Sequence, residues 1–107
     1  MYPSHTMTLY RGIVPYSGSG TYTNVYTSPS AGTITVIKNI VVSHDHNAAR
    51  EISIKLNGVA FLIDKQIQSK DFVNLLIDQN VDTIEMFCTL DPVDGDMHVH
   101  ISGTEEH

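Results

Sequence analysis

Apolar and polar residues alternate along most of this chain in short stretches, and clusters of Gly, Pro, Asn and Ser separate the stretches. A period of two is that of a β-strand with one face on a core, whereas an amphipathic helix repeats every 3.6 residues. Val, Ile, Thr and Tyr dominate the stretches, as they do in strands. This pattern predicts an all-β protein built as a sandwich or a barrel.

The clearest local signal is a hairpin. Asn57-Gly58 lies between two apolar-patterned runs, and both residues tolerate the positive φ that a two-residue type I′ turn requires. The segment 66–77 fits both helical spacing and alternation, and we favour a strand preceded by a loop. The predicted strands cover residues 6–14, 21–27, 33–43, 50–56, 59–63, part of 66–77, 83–89 and 97–102.

About eight short strands predict a jelly-roll-like antiparallel β-sandwich. At 107 residues the chain has the length of one domain, and no linker or repeat divides it. We therefore expect a single domain over residues 1–107. The ends, 1–5 and 103–107, are expected to fray in solvent.

The strand predicted over 33–43 has apolar residues on both of its faces, and Lys38 interrupts one of the two stripes. Such a strand is covered on both sides, either by a second subunit or by a loop of its own chain. The stripe that Lys38 interrupts contains Ile34, Val36, Ile40 and Val42, and the opposite face contributes Ile37 and Val41 as candidate residues of an oligomer interface.

Charge and composition exclude several classes of function. The chain has 6 Lys plus Arg against 12 Asp plus Glu, a net charge of −6 that disfavours nucleic acid and anionic membranes as partners. No Gly-x-Ser-x-Gly elbow or phosphate-binding glycine loop occurs. The single cysteine, Cys88, lies on the apolar face of a predicted strand. We expect no enzymatic activity and no cofactor.

Histidines form the one pattern that points to a metal. His44 and His46 are followed by Glu51, in an order that resembles the first metal-binding motif of the cupin family. That resemblance implies ligation by these three residues, with a fourth ligand, His98 or His100, from a later strand. Alternatively, these side chains are ordinary surface groups.

The sequence contains two further candidate binding sites. The acidic turn over 91–96 contains three aspartates around Gly95, but the closing Glu of a twelve-residue calcium loop is absent. Tyr22 and Tyr26 are expected to share one strand face, where they could bind host-surface glycans. Burial of both rings with their hydroxyls at a rim explains them equally well.

Three groups of segments follow one another along the chain: Leu9-Tyr10-Arg11-Gly12 with the stretch 25–32, then 33–42 with 50–58, and then 80–85 with 97–103 and the acidic tail. In these segments the chain resembles small virion proteins of tailed bacteriophages. This resemblance implies an accessory structural protein of a tail, a neck or a capsid surface, made in the host cytoplasm and incorporated into the virion. It also implies a homo-oligomer, as a trimer or a ring, that contacts other virion proteins.

Overall fold

The computed structural model describes residues 6–16, 20–29, 33–91 and 93–106. In these ranges regular structure consists of β-strands, and no helix long and apolar enough to cross a membrane occurs among them. The strands are β1 (Met7–Ile13), β2 (Thr23–Thr27), β3 (Ile34–His44), β4 (Arg50–Leu56), β5 (Val59–Ile67), β6 (Phe72–Asn80), β7 (Thr83–Cys88) and β8 (Met97–Glu106).

The strands form two four-stranded sheets that pack face to face. The first sheet has the order β1-β8-β3-β6 and the second has the order β2-β7-β4-β5. Neighbouring strands are antiparallel in both sheets. This strand order, in which the chain repeatedly crosses from one sheet to the other, is that of a jelly roll. The predicted fold class is confirmed.

Aliphatic side chains fill the space between the sheets. The inward residues of β4, β7 and β8 are those that alternation predicted, and each is at most 6% exposed. Strand β6 contributes Val73, Leu75 and Ile77, which pack against this core from the sheet edge. Burial of such side chains is the main stabilising contribution to the fold. The predicted and confirmed set comprises Ile52, Ile54, Leu56, Ile84, Met86, Cys88, Met97, Val99 and Ile101.

Strand β3 differs from its prediction because it contains a β-bulge. Its pairing with β8 passes from Ile37 opposite Gly103 to Asn39 opposite Ser102, so Lys38 is an extra residue on β3. An extra residue exchanges the two faces of a strand. The inward set is therefore Thr35 and Ile37 before the bulge, then Ile40, Val42 and His44 after it. The four-residue stripe predicted for one face does not exist.

The chain ends also differ in part from expectation. Residues 103–106, expected to fray, belong to β8, where Glu105 pairs with Thr35 of β3. Gly103 permits this pairing because a Cβ atom there would overlap the carbonyl oxygen of Val36. Residues 1–5 and 107 lie outside the described residues.

The predicted hairpin turn is present and has a second function. Asn57 and Gly58 have φ values of 53° and 77°, as a type I′ turn requires. The Asn57 Oδ1 atom also accepts hydrogen bonds from the backbone N–H groups of Asp82 at 2.7 Å and Thr83 at 3.2 Å. The β4–β5 turn is thereby fastened to the start of β7.

Candidate functional site

The outer face of the first sheet carries two rows of side chains that cross all four of its strands. The pairing registers place Ile13, His98, Ser43 and Phe72 in one row, from β1 to β6. The second row, in the same strand order, is Arg11, His100, Val41 and Asn74. Opposite residues of antiparallel strands have Cβ atoms about 5 Å apart, so each row is one continuous surface.

These rows border a shallow groove of about 760 Å³, which we call the histidine groove. Arg11 and both histidines are exposed along it, and Arg11 forms no ion pair with any residue that the structure describes. The His100 Nε2 atom lies 2.9 Å from the Thr8 hydroxyl, which orients this ring. The groove is lined by Arg11, Gly12, Ile13, Val41, Ser43, His98, Val99 and His100.

Side-chain hydrogen bonds order the sheet surface beside the groove. The Ser102 hydroxyl donates to the Asn39 side-chain oxygen, and the Asn39 amide donates to the Asn74 oxygen at 3.1 Å. Next to the bulge, Lys38 Nζ lies 2.6 Å from Asp78 Oδ1. These contacts connect β8, β3 and β6 on the solvent side, so this face is built as a defined surface.

A second concavity adjoins the histidine groove at the end of the sandwich. This acidic cleft has a volume of about 270 Å³ and is formed by the loop after β3 and the turn before β8. His98 lines both concavities, so the two concavities are contiguous. The cleft is lined by Asp45, His46, Asp94, Gly95, Asp96 and His98.

The fold does not bring the predicted metal ligands together. His44 points into the sandwich and is 4% exposed. Its Nδ1 accepts from the His46 backbone N–H at 3.1 Å, so its Nε2–H donates to the Ile67 carbonyl, also at 3.1 Å. Both ring nitrogens are therefore occupied. Glu51 alternates with the inward residues of β4 and so lies on the outer face of the second sheet, away from His98 and His100.

His46 has a structural partner as well. Arg50 Nη2 donates to His46 Nε2 at 2.8 Å, and the His46 carbonyl accepts from the Lys70 backbone N–H at 3.1 Å. The loop after β3 is thereby fastened to the β5–β6 turn. Among the described residues, no group of three or more His, Cys, Asp or Glu side chains has the arrangement of a metal site.

The two candidate tyrosines lie on opposite faces of the second sheet. A register shift in β2 between Asn24 and Tyr26 separates them, so the expectation of a shared face is wrong. Tyr26 is buried, and its hydroxyl donates to Glu105 Oε1 at 2.9 Å. Burial raises the pKa of Tyr26, and the nearby Glu105 carboxylate raises it further.

Tyr22 lies on the outer face of the second sheet, in an aromatic cluster. Its ring makes a T-shaped contact with Phe87, with ring centroids 4.8 Å apart. The Lys55 Nζ atom lies 4.3 Å from the Tyr22 ring centroid, within the range of a cation–π interaction. Tyr22 therefore remains a candidate residue for glycan binding at this surface.

The acidic turn and the cysteine have structural roles. Asp91 Oδ1 accepts from the Val93 backbone N–H at 2.9 Å, and the Asp91 carbonyl accepts from the Asp94 N–H at 2.8 Å. These bonds explain the turn composition. Cys88 is 1% exposed, and burial raises the pKa of its thiol, which disfavours the nucleophilic thiolate.

The two residues predicted for an oligomer interface, Ile37 and Val41, lie in different environments. Ile37 is fully buried between the sheets, where no other subunit can reach it, whereas Val41 lines the histidine groove. The sequence did not indicate Arg11, Ile13 or Asp45 as site residues, and it indicated Asp94 and Asp96 only as members of the acidic turn. Arg11 and Ile13 meet the two histidines through the pairing of β1 with β8, which joins residues almost a full chain length apart. Alternation alone indicates only that Arg11 and Ile13 share a face.

The sequence matches no protein-family model and no curated protein sequence. Among solved structures, a chain of infectious bursal disease virus, Gx strain, matches 95% of this chain with a TM-score of 0.52 and 10% identity. The match covers 32% of the viral chain, so this chain spans about a third of its length. The CBM35 from Paenibacillus barcinonensis has a TM-score of 0.43 at 17% identity, and the match covers 95% of this chain and 92% of that one. The viral similarity concerns the fold alone.

Proposed function

We propose that this protein is a structural component of a bacteriophage particle, which acts by assembling with copies of itself and with other virion proteins. It is an accessory part of the tail or of the capsid surface and catalyses no reaction. The observation that carries the proposal is the jelly-roll strand order closed around an aliphatic interior. In such a molecule the outer faces are the surfaces available for binding.

Jelly rolls are used by viral capsid, lectin and cupin domains. A cupin-type site needs ligands that converge inside the barrel, and here His44, Glu51 and His98 point in three different directions. The viral and lectin uses remain. The structural similarity to a viral chain supports the viral use at the level of the fold. The sequence resemblance to small virion proteins supports a tailed phage as the source.

Purified phage particles provide the test. An antibody against this protein should label intact particles at one defined location by immunogold electron microscopy. Quantitative mass spectrometry of the same particles should give a copy number that fits the symmetry of a tail or a capsid. Antibody preabsorbed with the purified protein is the control. A protein that stays in the soluble fraction of the lysate, with unlabelled particles, would contradict the proposal.

A second candidate function, glycan binding, is favoured by the cluster of Tyr22, Phe87 and Lys55. Both rings are half-buried at the surface, where their free faces could stack on a sugar ring, and the nearby ammonium group could bind an acidic sugar. A glycan array should then show binding that Tyr22→Ala abolishes. The matched control is Tyr16→Ala, which removes an exposed tyrosine outside this cluster. Equal binding by both variants would refute a site at Tyr22.

A further inference from the structure

We propose that the histidine groove and the acidic cleft together form a two-fold interface between two copies of this chain. The groove of each copy would cover the cleft of the other. This inference rests on the proposed function, because it names the surface through which the protein assembles. It commits to a second copy of the chain as the occupant of both concavities.

The charges of the two concavities are opposite. The chain as a whole has a net charge of −6, yet the lining of the histidine groove includes Arg11 and two histidines and no carboxylate. The acidic cleft beside it has Asp45, Asp94 and Asp96 in its lining. Opposite charges concentrated on adjacent surfaces favour a partner with the reverse arrangement.

A two-fold axis supplies that reverse arrangement. In an isologous interface the same patch is used by both copies, so a residue of one meets a different residue of the other, and the reciprocal contact also forms. His98 lines both concavities and therefore marks their boundary. An axis that passes close to His98 brings Arg11 of each copy toward the aspartates of its partner and satisfies both contacts at once.

Exposed apolar side chains surround the charged residues of the two concavities. Ile13 is 49% exposed and Phe72 is 62% exposed, at the two ends of the row that contains His98. Val93, in the turn next to Asp94, is 90% exposed. Stable interfaces bury about 800 Å² on each partner, and burial of these apolar groups would contribute to the affinity.

Charge-reversal variants test this interface by sedimentation velocity. The wild-type protein should be a dimer at tens of micromolar and should dissociate more readily in 1 M NaCl, which screens the charged contacts. Arg11→Glu and Asp94→Lys should each weaken the dimer at least tenfold, because each places like charges together at both contacts. An equimolar mixture of the two variants should dimerise again. In the heterodimer the two substituted side chains carry opposite charges at one contact, and the native Arg11 and Asp94 meet at the other.

The matched control is Lys65→Glu, which makes the same charge change as Arg11→Glu at an exposed position of β5 in the other sheet. It should dimerise like the wild type. Thermal unfolding of each variant verifies that it is folded. Failure of the mixture to dimerise, or dimers of undiminished strength in both variants, would overturn the interface. So would a wild-type monomer or a trimer. Labelling of particles with the antibody tests the virion assignment separately, whichever result is obtained.

Discussion

The hydroxyl of Tyr26 joins the two sheets through polar contacts inside the sandwich. Tyr26 belongs to the second sheet, whereas its partners Glu105 and Thr35 belong to the first. The Thr35 hydroxyl lies 3.3 Å from the tyrosine oxygen. A buried hydroxyl that is hydrogen-bonded to a carboxylate stabilises the fold, and loss of such a bond also leaves its partner unsatisfied.

We predict that Tyr26→Phe lowers the free energy of unfolding by about 1–2 kcal/mol at pH 7. The raised pKa of Tyr26 adds a pH dependence. The folded protein holds the phenolic proton more tightly than the unfolded chain, so this contribution is complete below pH 10 and is lost as the pH rises through the folded-state pKa. Urea unfolding at pH 7 and pH 11 should show the difference between wild type and variant shrinking at the higher pH.

Tyr22→Phe is the control for this prediction, because it removes a hydroxyl from the ring that packs on Phe87 at the surface. Its free energy of unfolding should change by less than about 0.5 kcal/mol at pH 7. Equal effects of the two substitutions would mean that the bonds from Tyr26 to Glu105 and Thr35 do not stabilise the fold.

At the scale of an element, the bulge at Lys38 determines which residues of β3 face the core. Lys38 is exposed and its ion pair with Asp78 lies at the surface, so its side chain contributes little. Its backbone, in contrast, supplies the extra residue that lets both Ile37 and Ile40 point inward.

We therefore predict opposite outcomes for two changes at this position. Lys38→Ala should alter the free energy of unfolding by less than about 1 kcal/mol, because a surface ion pair is lost and nothing else changes. Deletion of Lys38 should prevent folding, since either Thr35 and Ile37 or Ile40 and Val42 must then face solvent. Circular dichroism and thermal unfolding distinguish the two. A cooperative transition in the deletion variant would show that the bulge is dispensable.

The β4–β5 turn provides a third prediction. Asn57→Ala should destabilise the protein by about 2 kcal/mol, because alanine disfavours a φ of 53° and cannot accept the bonds from Asp82 and Thr83. Asn57→Asp keeps an acceptor oxygen and tolerates the same backbone conformation, so it should lose less than half as much. Urea unfolding at pH 7 measures both values. Similar losses would indicate that the side-chain bonds to β7 contribute nothing.

These elements show how far the sequence determines the fold. In β4, β7 and β8 the large apolar residues alternate regularly, so their inward positions could be predicted from the sequence, as could the turn at Asn57-Gly58 between β4 and β5. The bulges in β2 and β3 could not be predicted, because the residue that a bulge inserts has no distinctive side chain. Without the inserted residue, alternation assigned Ile37 and Tyr26 to the wrong faces of their strands. The strand β8 is also longer than the predicted stretch 97–102, because Gly103 and the residues after it pair with β3 before the bulge.

At the scale of the whole molecule, the strand order decides which polar residues meet. Histidines 44 and 98 belong to strands that are neighbours in the first sheet, yet their side chains lie on opposite faces of that sheet. Local His-x-His spacing therefore could not indicate their arrangement. The candidate site combines Arg11 from the first strand with His98 and His100 from the last, and only the closed jelly roll makes them adjacent.

The same fold separates the two interface residues that the sequence suggested, and this gives the final prediction. Ile37→Lys should fail to fold, because it places an unpaired charge in the core. Val41→Glu should keep the free energy of unfolding within about 1 kcal/mol of wild type, because its side chain can reach solvent from the groove. It should nevertheless abolish the dimer, since it adds a carboxylate to the surface that the acidic cleft of the partner covers. Val36→Glu, on the same strand outside the groove lining, is the control and should dimerise normally. Sedimentation velocity combined with thermal unfolding measures both properties, and a dimeric Val41→Glu would exclude the groove from the interface.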